Sequence, residues 1–122
     1  HAHMECNRDM LLKEKYLLYI RAKSYMHTHV HEDITVKSVA QKFNITERTL
    51  QNYFQRDLNI SPKRYLIVLR LTKVHRTLKT SQVKKGMIED TARRFGFYHM
   101  GQFAKSYKDF FGELPSETLR KS

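Results

Sequence analysis

Cysteine, glycine and proline are scarce in this sequence. The single cysteine, Cys6, excludes an internal disulfide framework and a cysteine-based zinc site. The 4 glycines and 2 prolines among 122 residues predict an all-helical protein with short turns, because these residue types are the main breakers of helices. No hydrophobic run is long enough to cross a bilayer, and no signal-peptide pattern is present. We therefore expect a cytoplasmic protein without a membrane partner.

Groups arranged for catalysis or metal binding are also missing. The carboxylates are scattered, no serine or cysteine is followed by a recognisable acid–base partner, and there is no phosphate-binding glycine loop. His27, His29 and His31 alternate, and on a strand they could present three imidazoles to a metal. No carboxylate or cysteine pattern completes such a site, so a polar helix end is the favoured interpretation. We expect no enzymatic activity, no cofactor and no metal.

The charge of the chain is strongly one-sided. Lysine and arginine number 23 against 12 aspartates and glutamates, which gives a net charge of +11. Such an excess favours a polyanionic partner, with nucleic acid first and an anionic membrane surface second. Charge alone does not choose between these two partners.

Two stretches have the periodicity of helices that support or connect other elements. From about residue 9 to 26, an approximate apolar stripe predicts a supporting helix. Ser61 and Pro62 are a helix-start signal, and the apolar positions that follow predict a central helix over 61–80. At about 1.5 Å per residue this helix would be roughly 27 Å long and would hold its flanking segments at a fixed separation.

The segment before the central helix is typical of a helix-turn-helix motif. Thr35 can cap a first short helix and Thr46 a second, with the tight connection Asn44-Ile45 between them. Asn44 stands where a glycine is often needed, because asparagine tolerates a left-handed backbone conformation.

The same pattern returns after the central helix. Leu50 and Phe54 recur 53 residues later as Phe103 and Tyr107, whereas Ala40 recurs 52 residues later as Ala92. The second copy therefore has one additional residue in its turn, where an insertion costs least. Two copies in a basic chain indicate duplex-DNA binding, with two recognition helices reaching major grooves about 34 Å apart. The predicted organisation is a cloning scar at 1–4, a supporting helix with the first motif at 9–60, a central linker helix at 61–80, and the second motif with a C-terminal helix at 86–122.

Five segments carry a family resemblance: Asn44–Phe54, Ser61–Leu66, Arg70–Leu71, Phe95–Phe103 and Phe111–Ser116. From about residue 9 to the C terminus, the chain resembles the DNA-binding domain of AraC/XylS-type transcription regulators, and its second repeat is similar to the XylS-like branch. The resemblance implies an all-α fold of about seven helices, with two helix-turn-helix subdomains joined by a long central helix. It also implies a bacterial regulator that usually activates promoters by contacting RNA polymerase. Most relatives carry an N-terminal effector or dimerisation domain, which we expect to be missing here.

The resemblance further implies which side chains face DNA. In the first motif Arg48, Gln51 and Asn52 are expected at base edges, since arginine suits guanine and the two amides suit adenine. Thr46 and Arg56 are expected at phosphates. In the second motif the expected contacts are His99, Met100 on a thymine methyl, Gln102 as the best base reader, Lys105, and Lys108 on the DNA backbone. For any one of these residues, an ordinary solvated helix face is the alternative.

Two hypotheses follow from these patterns. The first is sequence-specific binding of double-stranded DNA by a transcription regulator that is an activator. The alternative is a basic helical module that binds protein or membrane without sequence-specific DNA readout.

Substitutions on the two recognition helices distinguish base readers from backbone contacts. Gln51→Ala or Gln102→Ala should cost roughly 1–3 kcal/mol of binding free energy on the cognate site and relax the preference at one base position. Lys108→Ala should weaken binding to all sequences alike. Affinities for cognate and random duplexes would measure this, and equal losses on both by all three variants would contradict the assignment.

Overall fold

The computed structural model describes residues 2–122, with side chains from residue 8 onward. His1 of the proposed cloning scar and the Cys6 side chain lie outside the described residues. The described chain forms seven helices and no strand, which confirms the all-α prediction. These are α1 (Ala2–Thr28), α2 (Val36–Lys42), α3 (Glu47–Leu58), α4 (Pro62–Lys79), α5 (Met87–Arg94), α6 (Met100–Phe111) and α7 (Pro115–Lys121). Only α1 departs clearly from prediction, because it begins at Ala2 instead of near residue 9. None of the helices within residues 2–122 combines the length and apolarity needed to cross a membrane.

The helices are distributed over two compact units. The first unit comprises the chain up to His29 together with Ile34–Leu66, and the second comprises Val30–Asp33 and Ile67–Ser122. The first unit therefore contains α1, α2 and α3, and the second contains α5, α6 and α7. The central helix α4 contributes its first residues to one unit and the remainder to the other.

The core of the first unit is built from apolar side chains at helical spacing. Its fully buried members include Tyr19, Ala22 and Met26 of α1, Val39 of α2, and Leu50 and Phe54 of α3. The Phe54 ring meets Tyr19 edge-on at a centroid distance of 5.2 Å and Tyr65 at 5.0 Å. Such tilted contacts are preferred by aromatic rings and contribute beyond the area they bury. Because Leu50 and Phe54 lie one turn apart, they fix which face of α3 points outward.

The turns of the two motifs use the left-handed backbone conformation at matching places. Asn44 has a φ of 51°, as expected for a residue that stands in place of glycine, and Asn59 has a φ of 53°. Their counterparts in the second copy are glycines, Gly96 with a φ of 92° and Gly112 with a φ of 75°. The internal repeat is thus present in the backbone as well as in the apolar anchors.

Side chains cap the starts of α2 and α4. The Thr35 hydroxyl accepts from the Ser38 amide at 3.0 Å, and the Ser38 hydroxyl accepts from the Thr35 amide at 2.9 Å, which forms a capping box. At the start of α4 the Ser61 hydroxyl accepts from the Arg64 amide at 3.1 Å. Both caps were predicted from the sequence, and each satisfies amide groups that a helix start leaves unpaired.

The core of the second unit is a cluster of apolar residues from four helices and the turn after α5. Its buried members are Leu71, Val74 and Leu78 of α4, Ala92 of α5, Phe95 of the turn, Phe103 and Tyr107 of α6, and Leu119 of α7. Among the aromatic residues of this half, Phe95, Phe103 and Tyr107 are buried in the core. Phe110 is an exception, since 43% of its surface is exposed.

A short chain of hydrogen bonds ties this core to the connection before α7. The Tyr107 hydroxyl donates to Thr118 Oγ1 at 2.7 Å, and Thr118 Oγ1 donates to Glu113 Oε2 at 2.7 Å. Glu113 also pairs with Lys121, whose Nζ lies 3.4 Å from its Oε1. Burial raises the pKa of Tyr107, and the bond from Thr118 lowers the pKa of Glu113. The hydroxyl of Thr118 is therefore the link between a buried phenol and an ionised carboxylate.

Thr118→Val should destabilise the second unit, because it leaves the buried Tyr107 hydroxyl without an acceptor. We expect a loss of about 1–3 kcal/mol in the free energy of unfolding, measured by urea denaturation at pH 7. The pKa of Glu113 is lowered by folding, so its contribution is present above the ordinary carboxyl pKa and disappears as the pH falls through the lowered value. The difference in free energy of unfolding between the variant and wild type should accordingly become smaller at acidic pH.

Thr72→Val is the matched control, because the Thr72 hydroxyl donates at 2.7 Å only to the Val68 carbonyl of its own helix. That change should alter stability by less than about 0.5 kcal/mol. Adding Tyr107→Phe to Thr118→Val should recover part of the loss, since both polar partners are then removed. No recovery would show that the hydrogen bond is not the source of the effect.

Candidate nucleic-acid interface

The recognition helix of the first motif is α3, and one of its faces points away from the core. Leu50 and Phe54 are fully buried, whereas Arg48, Gln51 and Asn52 are exposed. The exposed three lie within one helical turn and are oriented away from the buried pair. The structure thus brings the predicted base readers of the first motif together on one surface.

Thr46 begins this helix and its hydroxyl is used as the cap. It accepts from the Thr49 amide at 3.0 Å and donates to the Thr49 hydroxyl at 2.8 Å. Thr46 is exposed beside the readout face, so the cap and a phosphate contact are compatible in position. The phosphate contact itself stays a prediction.

Arg56 lies near the other end of α3 and is held by its neighbours. Its Nε is 3.0 Å from Asp57 Oδ1, and its guanidinium lies over the Tyr53 ring at 4.8 Å and the Tyr16 ring at 5.5 Å. The hydrogen bond to Asp57 raises the pKa of Arg56. The side chain is still 60% exposed, so it presents an oriented positive charge at the flank of the helix. Burial raises the pKa of neighbouring Tyr19 to about 12, which keeps that phenol neutral.

In the turn of the second motif, the backbone of Gly96 packs closely against the side chain of Arg70. Gly96 has a φ of 92°, and a Cβ at this position would lie 3.3 Å from Nε and Cζ of Arg70. Arg70 Nη2 donates to the Glu32 carbonyl at 3.5 Å, and burial lowers the pKa of this guanidinium. Arg70 is half-buried, so this charge belongs to the packing of the turn and not to the exposed face of the motif.

The recognition helix of the second motif is α6. His99, Gln102, Lys105 and Lys108 are exposed, and His99 is the N-cap residue of the helix although its ring makes no capping bond. Met100 differs, because it is half-buried and packs against the core of the second unit. This position favours a structural role for Met100, and its contact with a thymine methyl stays a prediction.

Two exposed residues beside the predicted set were missed from the sequence. Gln55 shares the face of α3 that carries Arg48 and Asn52, and its amide donates to the side-chain oxygen of Asn59. Its spacing of four from Gln51 and three from Asn52 was the available signal. Tyr98, the additional residue in the second turn, is 64% exposed immediately before α6.

The alternating histidines do not form a metal site. The His27 ring bonds to the Tyr65 hydroxyl, whereas the His29 ring stacks on Tyr25 at a centroid distance of 3.8 Å. In the part of the chain that the structure describes, no three histidines, cysteines or carboxylates lie close enough to hold a metal ion. The interpretation of this stretch as a polar helix end agrees with the end of α1 at Thr28.

The arrangement of a short helix, a left-handed turn and an outward-facing recognition helix, present twice, defines a class of DNA-binding domain. The sequence family described as "Helix-turn-helix domain" matches residues 39–121 of the chain. The chain belongs to this helix-turn-helix domain family, in the AraC/XylS-type group of transcription regulators. This membership does not favour the alternative of a basic interaction module without DNA readout.

Individual relatives support the same grouping. The chain is 36% identical over 99 residues to the probable thc operon regulatory protein of Rhodococcus erythropolis, over 81% of this chain and 30% of that protein. It is 30% identical over 101 residues to the XylDLEGF operon transcriptional activator of Pseudomonas putida, over 83% of this chain and 32% of that protein. The crystal structure of a probable AraC family transcriptional regulator from Rhodopseudomonas palustris is similar with a TM-score of 0.73 and 28% identity, over 85% of this chain and 95% of that one. The chain thus spans about a third of the length of these two curated relatives.

Gln55→Ala tests whether the readout face of α3 extends beyond the predicted residues. Since an amide can pair with adenine through two hydrogen bonds, the variant should bind a selected duplex about tenfold more weakly and accept other bases at one position. Gln41→Ala, at an exposed position of α2, is the control and should leave affinity unchanged. Equal affinity of the Gln55 variant and wild type would restrict the readout face to Arg48, Gln51 and Asn52.

Proposed function

We propose that this chain is the DNA-binding domain of a bacterial transcription regulator and that it reads duplex DNA by placing α3 and α6 in adjacent major grooves. The observation that carries the proposal is that both helices expose amide or basic side chains on the face opposite their two buried anchors. An isolated motif of this kind is common in helical cores, but two matched copies in a chain of net charge +11 suit a polyanionic duplex.

The chemistry of the two faces supports a division between bases and backbone. On α3, Arg48 has the donor geometry for guanine O6 and N7, and Gln51 and Asn52 have that for adenine N6 and N7. On α6, Gln102 is the amide suited to adenine, and Lys108 provides a charge suited to phosphates. We assign base readout to the arginine and the amides, with His99 and Lys105 beside Gln102 on the face of α6. We assign backbone contact to Lys108, Thr46 and Arg56.

The length of α4 supports simultaneous use of both motifs. Its 18 residues correspond to roughly 27 Å along the helix axis, which is of the order of the 34 Å between successive major grooves on one face of B-DNA. The site should then be a direct and non-palindromic one of about two helical turns, bound by a single chain.

The wider role is proposed from the relatives. One of them is named an operon transcriptional activator, and the chain spans about a third of it. We infer that the complete regulator is cytoplasmic and activates transcription. We further infer that it carries an effector or dimerisation domain beyond this chain, and that it contacts RNA polymerase when bound upstream of a promoter.

Selection of bound sites from random duplex DNA, followed by footprinting, tests the proposal. We expect a preferred site of about two turns, protected in two adjacent major grooves. Raising the salt concentration from 50 to 200 mM should weaken binding about 10³-fold, as six or more displaced counterions require. Lys108→Ala should reduce the slope of log affinity against log salt by about 1. Protection of one groove would assign DNA to a single motif, and the absence of any enriched site would overturn the proposal.

A further inference from the structure

The two recognition helices differ at one equivalent position. Arg48 of α3 lies two residues before the buried anchor Leu50, and Gly101 of α6 lies two residues before its counterpart Phe103. The first motif therefore presents its longest polar side chain where the second motif presents none. A matched pair of helices makes this difference informative, because their buried anchors set the two positions in the same orientation.

Nothing in the second unit requires a glycine at position 101. Gly101 is exposed within the first turn of α6, and its φ is not in the left-handed region that Gly96 and Gly112 occupy. A Cβ built on Gly101 would meet nothing within 4 Å, in contrast to Gly96, where it would meet Arg70 at 3.3 Å. Glycine is also the poorest helix former apart from proline. The protein alone would therefore be more stable with alanine there.

The surroundings of Gly101 are those of the proposed DNA-binding face. Gln102 and Lys105 lie next to it on the exposed surface of α6. Tyr98, the additional residue of the second turn, is 64% exposed three positions before it. Behind it, the buried ring of Phe103 fixes the helix to the core, so this turn cannot shift to accommodate a larger side chain without a cost.

We propose that Gly101 is the point of closest approach between DNA and α6. The missing side chain lets the duplex make van der Waals contact with the helix backbone, so that α6 lies deeper in its groove than a helix with a side chain there could. This deepens the proposed function and rests on it, because it presupposes that α6 enters a major groove. Position 101 then determines affinity because it carries no side chain that would keep the duplex away from the helix backbone.

Gly101→Ala separates the needs of the fold from those of the complex. The variant should unfold a few degrees higher than wild type, because alanine is the better helix former. It should nevertheless bind the selected duplex about tenfold more weakly, because the added methyl group occupies the contact. Gly101→Arg, which copies the first motif, should lose more. Footprints should show weaker protection in the groove assigned to α6 and unchanged protection in the groove assigned to α3.

Ser116→Ala is the control, since Ser116 is an exposed residue at the second position of α7 in the same unit. It should leave affinity unchanged. If wild type binds its site and Gly101→Ala binds equally well, the inference is wrong while the proposed function stands. If wild type selects no duplex, the proposed function is wrong, and the inference that rests on it is wrong as well. A Gly101→Ala variant that unfolds lower than wild type would also contradict the inference, because glycine would then serve the fold.

Discussion

Two buried side chains one helical turn apart hold each recognition helix, and the other features of both motifs depend on them. Leu50 and Phe54 anchor α3, and Phe103 and Tyr107 anchor α6, each with at most 2% of its surface exposed. A helix attached through positions i and i+4 has no freedom to rotate about its axis without exposing one of them. The outward face is therefore determined by apolar residues that never contact a ligand. Polar residues on that face can vary without altering the fold.

The two motifs reach the same geometry with different local means. The first uses asparagine for its left-handed turn and the Thr46 hydroxyl as a cap, whereas the second uses Gly96 and has no side-chain cap from His99. The second motif has in addition a hydrogen-bond chain from Tyr107 near the end of α6 through Thr118 of α7 to Glu113. The two helix starts therefore differ in their caps, while this hydrogen-bond chain ties the end of α6 to α7.

The sequence alone was sufficient to predict structural features that are caused by residues close together in the chain. Caps at Thr35 and Ser61 and the left-handed conformation of Asn44 follow from the chemistry of a few neighbouring residues, and the structure confirms all three. The exposed face of α3 follows from its periodicity, although Gln55 on that face was overlooked.

What could not be predicted depends on tertiary packing. The partial burial of Met100 against the core of the second unit, where α6 begins, is one such feature. The orientation of Arg56 depends on two tyrosines, one of which lies 40 residues away in α1. Neither arrangement leaves a signal in the spacing of residues.

The division of the chain between its units has a consequence for synthesis on the ribosome. Val30–Asp33 belong to the second unit although they lie between α1 and α2, and Val30 is only 3% exposed. These four residues leave the ribosome long before Ile67 and the helices with which they are grouped. All residues of the first unit have been synthesised once Leu66 is added, whereas the second unit also needs Ile67–Ser122. The second unit is therefore discontinuous in the chain, and a contiguous piece that begins at Ile67 lacks these four residues.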